Sequence, residues 1–149
     1  MQLTRIYPPR YFFLAIIVMV ALNWVVPIAS PIEGYWRLIA LVPVAAGVVL
    51  NLDASRRFRL AATTILPFDH SSALVTSGTY RLTRNPIYLG MLLILAGIAL
   101  ALGSLSPWLA VAAFFLAIDL LFVPFEEQML TLRFGTEYTD YKQKVRRWI

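Results

Sequence analysis

Two acids, Glu126 and Glu127, stand side by side where an apolar run gives way to a polar one. Adjacent carboxylates at the end of a hydrophobic helix repel each other and lose hydration. They lie far from a helix N-terminus, so the helix dipole does not help them. Such a pair either faces water or meets a cation, from a protein arginine or from the ammonium of a ligand. A second cluster lies in LVTSGTYRLTRNPIYLG, residues 74–90. There Asn85 followed by Pro86 marks a helix start, with Asn as N-cap and Pro at the first helical position. The free N–H groups and positive dipole end at that start suit an anion or a carboxylate, or Asn85 simply caps the helix. Arg84 and Tyr88 are four apart and share a face if the turn extends back, and Arg84 equally reaches lipid headgroups. Gly78 and Gly90 mark close backbone approach, whether to a ligand, in a turn or between helices. Asp119 sits inside an apolar run and is a functional candidate by default, or it hydrogen-bonds a polar side chain on a neighbouring helix. His70, beside Asp69, is either a base near neutral pH or a solvated loop residue.

The elements that must position these residues are membrane helices. Of 149 residues, 60% are hydrophobic and 14% charged, against roughly 45–50% and ~25% in ordinary globular chains. The mean hydropathy is +0.72. These values exclude a disordered chain, a secreted disulfide scaffold and a free nucleic-acid binder. The net charge of +5 is then read as contact with anionic lipid headgroups and as a topology signal, not as nucleic-acid binding. The absence of cysteine and the single histidine exclude disulfides, thiolate nucleophiles and the usual metal-ligand sets, so no metal is expected.

Four apolar runs, residues 11–28, 35–52, 87–102 and 108–125, predict four transmembrane helices, each nearly long enough for a ~30 Å hydrocarbon core. Arg5 and Arg10 before the first run resemble a signal peptide, but the run exceeds a usual signal core and three more follow, so it reads as a retained helix. Pro43 and Gly47 inside the second are tolerated in membranes. The short turn at 103–107 makes the last two runs an antiparallel hairpin. Two polar stretches remain, a loop at 53–85 and a tail at 126–149. In the tail, residues 126–134 continue the fourth helix, Gly135 ends it in left-handed geometry and Thr136 caps the next helix. Tyr138, Tyr141, Val145 and Trp148 share one face of that next helix, which predicts an amphipathic helix on the inner leaflet. All of the 13 basic residues except Arg37 fall before the first run, in the loop or in the tail. The positive-inside rule then puts both termini and the loop in the cytoplasm, in a bacterial-type inner membrane or its equivalent. The expectation is a single all-α, integral membrane domain over residues 1–149.

The 74–90 motif, an apolar hairpin and then FEEQMLTLRFGTEYTDYKQKVRRWI at 125–149 resemble the isoprenylcysteine carboxyl methyltransferase family and its phospholipid methyltransferase relatives. The resemblance runs from about residue 60 to 149. It implies an integral membrane enzyme that uses S-adenosylmethionine without a Rossmann domain, in line with the lack of a strand–GxGxxG–helix pattern. It places the cofactor between one wall of Leu74, Val75, Gly78, Tyr80, Asn85, Pro86, Ile87 and Tyr88 and a second wall of Glu126 and Glu127. The family usually has histidine at the position of Asn85. Asparagine does not titrate, so Asn85 is not a catalytic base, and no base is assigned. The carboxyl methyltransferases carry an arginine one turn before the glutamate pair, and Phe122 stands there instead. That leaves Arg84 for an acceptor carboxylate or Asp119 for an acceptor amine. The implied acceptor is a small lipophilic molecule entering from the bilayer, with O-, N- and S-methylation all open. Two other classes compete: a non-catalytic four-helix protein whose basic tail binds anionic lipid or a partner, and a small transporter built around Asp119.

Overall fold

The computed structural model describes residues 8–61 and 73–149. His70, Asp69 and Arg5 lie outside the described residues. The described residues form helices only: α1 (Pro8–Val25), a 3-10 turn (Gly34–Ala40) leading into α2 (Leu41–Leu60), a second 3-10 turn (Gly78–Arg81), α3 (Pro86–Leu102), α4 (Pro107–Ala117), a π segment (Ile118–Phe122), α5 (Val123–Phe134) and α6 (Thr136–Lys144). Helix α4, the π segment and α5 make one continuous rod. Three helical stretches, Pro8–Val25, Gly34–Leu60 and Pro107–Phe134, are long and apolar enough to cross a membrane.

Helix α3 was expected to be a fourth span, and it is shorter than the others. Its 17 residues rise about 26 Å at 1.5 Å each, against about 27 Å for the 18 of α1. It lies inside the bundle, packed against α2 on one side and against α1 and α4 on the other. The core is built from Ala15 and Met19 of α1, Tyr88, Leu95 and Ala99 of α3, Ala110, Val111 and Phe114 of α4, then Ile118 and Val123. Large apolar side chains such as Phe13, Ile17, Leu109, Leu116 and Leu120 face outward. An outer surface of that kind is matched to lipid and not to water.

Glycines bring α2 and α3 together. A Cβ added at Gly90 would lie 2.7 Å from both the Gly47 carbonyl oxygen and the Asn51 side chain, and one added at Gly47 would collide with the Gly90 carbonyl. Gly90 is therefore a helix-packing residue, which decides among its possible readings. Close approach of this kind drives helix association where lipid is as apolar as the helices. At the end of the bundle remote from the α3 start, polar groups close on one another. The Ser104 hydroxyl donates to Asn23 Oδ1 at 2.6 Å and lies 3.1 Å from the Ser106 hydroxyl, which donates to the Leu22 carbonyl at 3.3 Å. The Leu105 N–H donates to the Ile28 carbonyl at 2.9 Å.

The contact at Gly90 involves backbone atoms that cannot rotate away. Gly90→Val should therefore lower stability by about 1–3 kcal/mol, the usual range for overpacking. Thermal unfolding in detergent would read this as a lower Tm, and an unchanged Tm would contradict the packing described.

Candidate functional site

Asn85 occupies the N-cap position of α3 and Pro86 follows it, as expected, but its side chain makes no capping bond. Its Nδ2 instead donates to the Arg147 carbonyl at 3.0 Å, and the Thr83 hydroxyl donates to the same oxygen at 2.8 Å. The Arg84 N–H donates to the Arg146 carbonyl at 3.0 Å. Residues 83–85 are thus stitched to residues 146–147. With φ −127° and ψ 54° at Asn85, the helical turn does not extend back, so Arg84 and Tyr88 do not share a helix face.

The tail differs from its sequence reading in three ways. Gly135 has φ +53° and ψ −121°, a positive-φ conformation distinct from the left-handed helical one, and it occupies the N-cap position itself, with Thr136 the first residue of α6. Helix α6 stops at Lys144 and Val145 is extended, so Val145 and Trp148 do not continue the face of Tyr138 and Tyr141. Tyr138 and Tyr141 are buried against the protein, and the Tyr141 hydroxyl donates to the Tyr80 carbonyl at 2.7 Å. The face that was expected on the leaflet packs inward, where the Tyr80 carbonyl gives the Tyr141 hydroxyl a fixed partner.

The two adjacent acids have unlike surroundings. Glu127 is met by Arg84 Nη1 at 2.9 Å, Arg147 Nη2 at 3.0 Å and, more loosely, Lys142 Nζ at 3.9 Å. Arg147 Nε also donates to it at 3.2 Å, which makes a two-pronged contact. Glu126 accepts a hydrogen bond from the Tyr88 hydroxyl at 2.5 Å and, among the described residues, pairs with no cation. Asp119, in the π segment, accepts from Arg147 Nη1 at 3.2 Å and from the Trp148 indole at 3.0 Å. Hydrogen bonding to Glu127 raises the Arg147 pKa further, so it stays charged. Phe122 packs edge-on against Tyr11, ring centroids 5.3 Å apart.

The opposite wall hangs on α2. Asp53 pairs with Arg57 at 3.2 Å and accepts the Thr79 N–H at 3.0 Å, which fixes the 3-10 turn. Gly78, at φ +64°, lies where a Cβ would strike both Arg57 and Asp53, so both conformation and space require glycine. The turn delivers Tyr80 into a small cluster with Ala54 and Val75, against which Phe58 and Ile87 pack. Leu74 and Val75 line an open groove of about 270 Å³ with Arg57 and Ser77. Burial pushes the Tyr80 hydroxyl well above the ordinary tyrosine range, and Tyr141 and Glu126 add to it in the same direction. Burial, with nearby Glu127, pushes Tyr138 up to about 12.

The expected residues therefore come together in two groups: Val75, Tyr80 and Ile87 in one, and Arg84, Asn85, Tyr88, Glu126 and Glu127 around the start of α3. Sequence reasoning missed Arg147, Trp148, Thr83 and Asp53. Asp53 had a signal, an acid four residues before Arg57 at a helix end. Arg147 had none beyond its charge.

Residues 36–137 match the model of the phospholipid methyltransferase family. The chain belongs to that family. The match takes in α2, which precedes the stretch from about residue 60 that carried the sequence resemblance, and stops before most of α6. A 63-residue stretch is 48% identical to an uncharacterized protein of Haemophilus influenzae, covering 42% of this chain and all of that relative. Two proteins of Oryza sativa, from subspecies indica and japonica, each named a probable protein-S-isoprenylcysteine O-methyltransferase, are 33% identical over 123 residues. Those stretches cover 76% of this chain, which spans 62% of the length of the rice proteins. Family and apolar helices together make this an integral membrane protein.

Because Tyr138 is held neutral in the fold, its contribution to stability is intact below its ordinary pKa of 10. It is lost as pH rises from about 10 towards 12, since the unfolded chain ionises first. The Tm in detergent should hold up to about pH 10 and fall above it, and Tyr138→Phe should flatten that fall. An equal fall in wild type and variant would contradict the assignment.

Proposed function

We propose that this protein is a methyltransferase that uses S-adenosylmethionine and passes its methyl group to a small lipophilic acceptor from the bilayer. The observation carrying this reading is the asymmetry of the acid pair. Glu127 is surrounded by Arg84, Arg147 and Lys142, whereas Glu126 has only a neutral donor, Tyr88. A largely desolvated carboxylate with open acceptor positions is suited to an ammonium group. Around Glu127 and Asp119 the three cations exceed the two acids by one. A lone carboxylate beside a locally cationic cluster complements the ammonium and carboxylate of an α-amino acid, the polar end of this cofactor. The residues present therefore fit it.

When bound, S-adenosylmethionine supplies an electrophilic methyl on a sulfonium. Glu126 holds the ammonium, and Tyr88 fixes the rotamer of Glu126. Val75, Tyr80 and Ile87 form the apolar wall that keeps water from the reacting atoms. Phe122 on the rod and Tyr11 of α1 pack together about one turn before Glu126, on the side from which a lipophilic acceptor would enter. Rate enhancement comes from in-line positioning. Asn85 supplies no base, so a carboxylate acceptor reacts directly, while an amine or thiol must arrive or become deprotonated by another route.

The same reading orients the molecule. Arg56, Arg59, Arg81, Lys144 and Arg146 are exposed on the helix ends and segments around the site. They suit anionic headgroups of a bacterial-type inner membrane, with both termini in the cytoplasm. Arg84 and Asp119 are already paired within the protein, so on this reading they shape the site and do not hold the acceptor's charge.

Purified protein in detergent should bind S-adenosylmethionine, or its demethylated product, in the micromolar range common for enzyme ligands. Glu126→Gln should weaken that binding about tenfold or more, the size of one lost charge-assisted hydrogen bond. Calorimetric titration would decide, and an unaffected variant would remove Glu126 from the site.

A further inference from the structure

We infer that Arg147 is a positioning residue for the cofactor site: it sets the rotational register of the α4–α5 rod, and so determines which acid of the pair faces the ligand. The inference rests on the reading of Glu126 as the ligand-facing acid. Asp119 and Glu127 are eight residues apart on one rod, and one guanidinium reaches both, Nη1 to Asp119 at 3.2 Å and Nη2 to Glu127 at 3.0 Å. In a regular α-helix this is the wrong spacing. Eight residues at about 100° each overshoot two full turns by about 80°, whereas seven fall within about 20° of them. In such a helix Asp119 would share its face with Glu126.

The π segment Ile118–Phe122 changes the partner. Its wider turn takes up one extra residue, so eight residues cover roughly the rotation of seven. Glu127 is thereby brought onto the face of Asp119, and Glu126 is turned towards Tyr88. Pro124, just after the π turn, has no N–H to give the Leu120 carbonyl and so breaks the regular ladder there, while tertiary contacts fix how far the rod turns. Arg147 bridges the two sides of the π turn, the Trp148 indole adds a second bond to Asp119, and the carbonyl of Arg147 is tied to Thr83 and Asn85. The bridge therefore joins the register of the rod to the start of α3. Arg147 and Trp148 lie beyond the 36–137 family match.

The test is titration of S-adenosylmethionine into the full chain in detergent, with Tm measured on the same samples. Arg147→Gln should raise Kd about tenfold. Arg147→Lys keeps the charge but cannot bridge two carboxylates bidentately, so it should recover only part of that loss. Asp119→Asn combined with Arg147→Gln should be no worse than Arg147→Gln alone, since both remove one bridge. Ser104→Ala, at the far end of the bundle, serves as a control that lowers Tm and leaves Kd unchanged. If Arg147→Gln fails to fold, Arg147→Lys carries the test, with an expected Kd between wild type and Glu126→Gln. If Glu126→Gln weakens binding and neither Arg147 variant does, the register inference is overturned and the cofactor reading stands. A Kd that rises equally in Ser104→Ala and Arg147→Gln overturns it too, because the effect would then follow stability. If Glu126→Gln itself leaves binding unchanged, the cofactor reading fails, and this inference with it.

Discussion

The charge cluster on Glu127 is the interaction on which the rest of this structure depends. A carboxylate withdrawn from water at a membrane boundary is expensive to maintain unless it is paired and hydrogen-bonded. Glu127 draws its partners from three places: Arg84 just before α3, Lys142 in α6 and Arg147 after it. Hydrophobic burial is non-directional and would not by itself specify how these segments meet. The ion pairs do, because each has a geometry. They close residues 83–85 onto 146–147, bring Tyr138 and Tyr141 inward, and leave Glu126 as the acid without a cationic partner among the described residues.

This arrangement also shows how a small membrane chain builds a polar site. Inside lipid, helices have little hydrophobic reason to prefer one partner over another. Here the apolar body is joined by close glycine contacts between α2 and α3, and specificity is concentrated at one end, where side chains can carry charge. Asp53 illustrates the division. It sits on α2, about two turns before the end of that helix, and holds a turn of the polar loop, so one residue transmits the position of a membrane helix to the Tyr80 wall.

Much of this was legible in the sequence, and the unread part has a physical pattern. Apolar runs reported the helices because a membrane enforces length and composition over many consecutive residues. Asn85 and Pro86 reported the start of α3 because helix starts have local rules. Glu126 and Glu127 stood out because adjacent acids at such a boundary need an explanation. What the sequence did not disclose was the difference between them. That difference depends on one extra residue of rotation in the π segment and on partners some 20 or more residues away. Neither leaves a periodic trace. The tyrosines of α6 likewise marked a face without saying what it would meet. Periodicity reports that a face is distinct; it does not report its neighbour.

The small polar knot at the other end of the bundle has its own consequence. Asn23, Ser104 and Ser106 satisfy one another and the backbone of α1, and both serines are buried. On the proposed function, a charged site at one surface of a membrane risks giving ions a path across it. These buried groups are bonded among themselves, and Arg37 at the same end is exposed and donates to the Ile32 carbonyl, so the knot leaves none of its own side chains to draw water inward. Between the knot and the charged site lies a core of Met19, Leu95, Ala99 and Phe114. On the proposed function, a charged ligand enters from one side while the membrane around the protein keeps its electrical insulation.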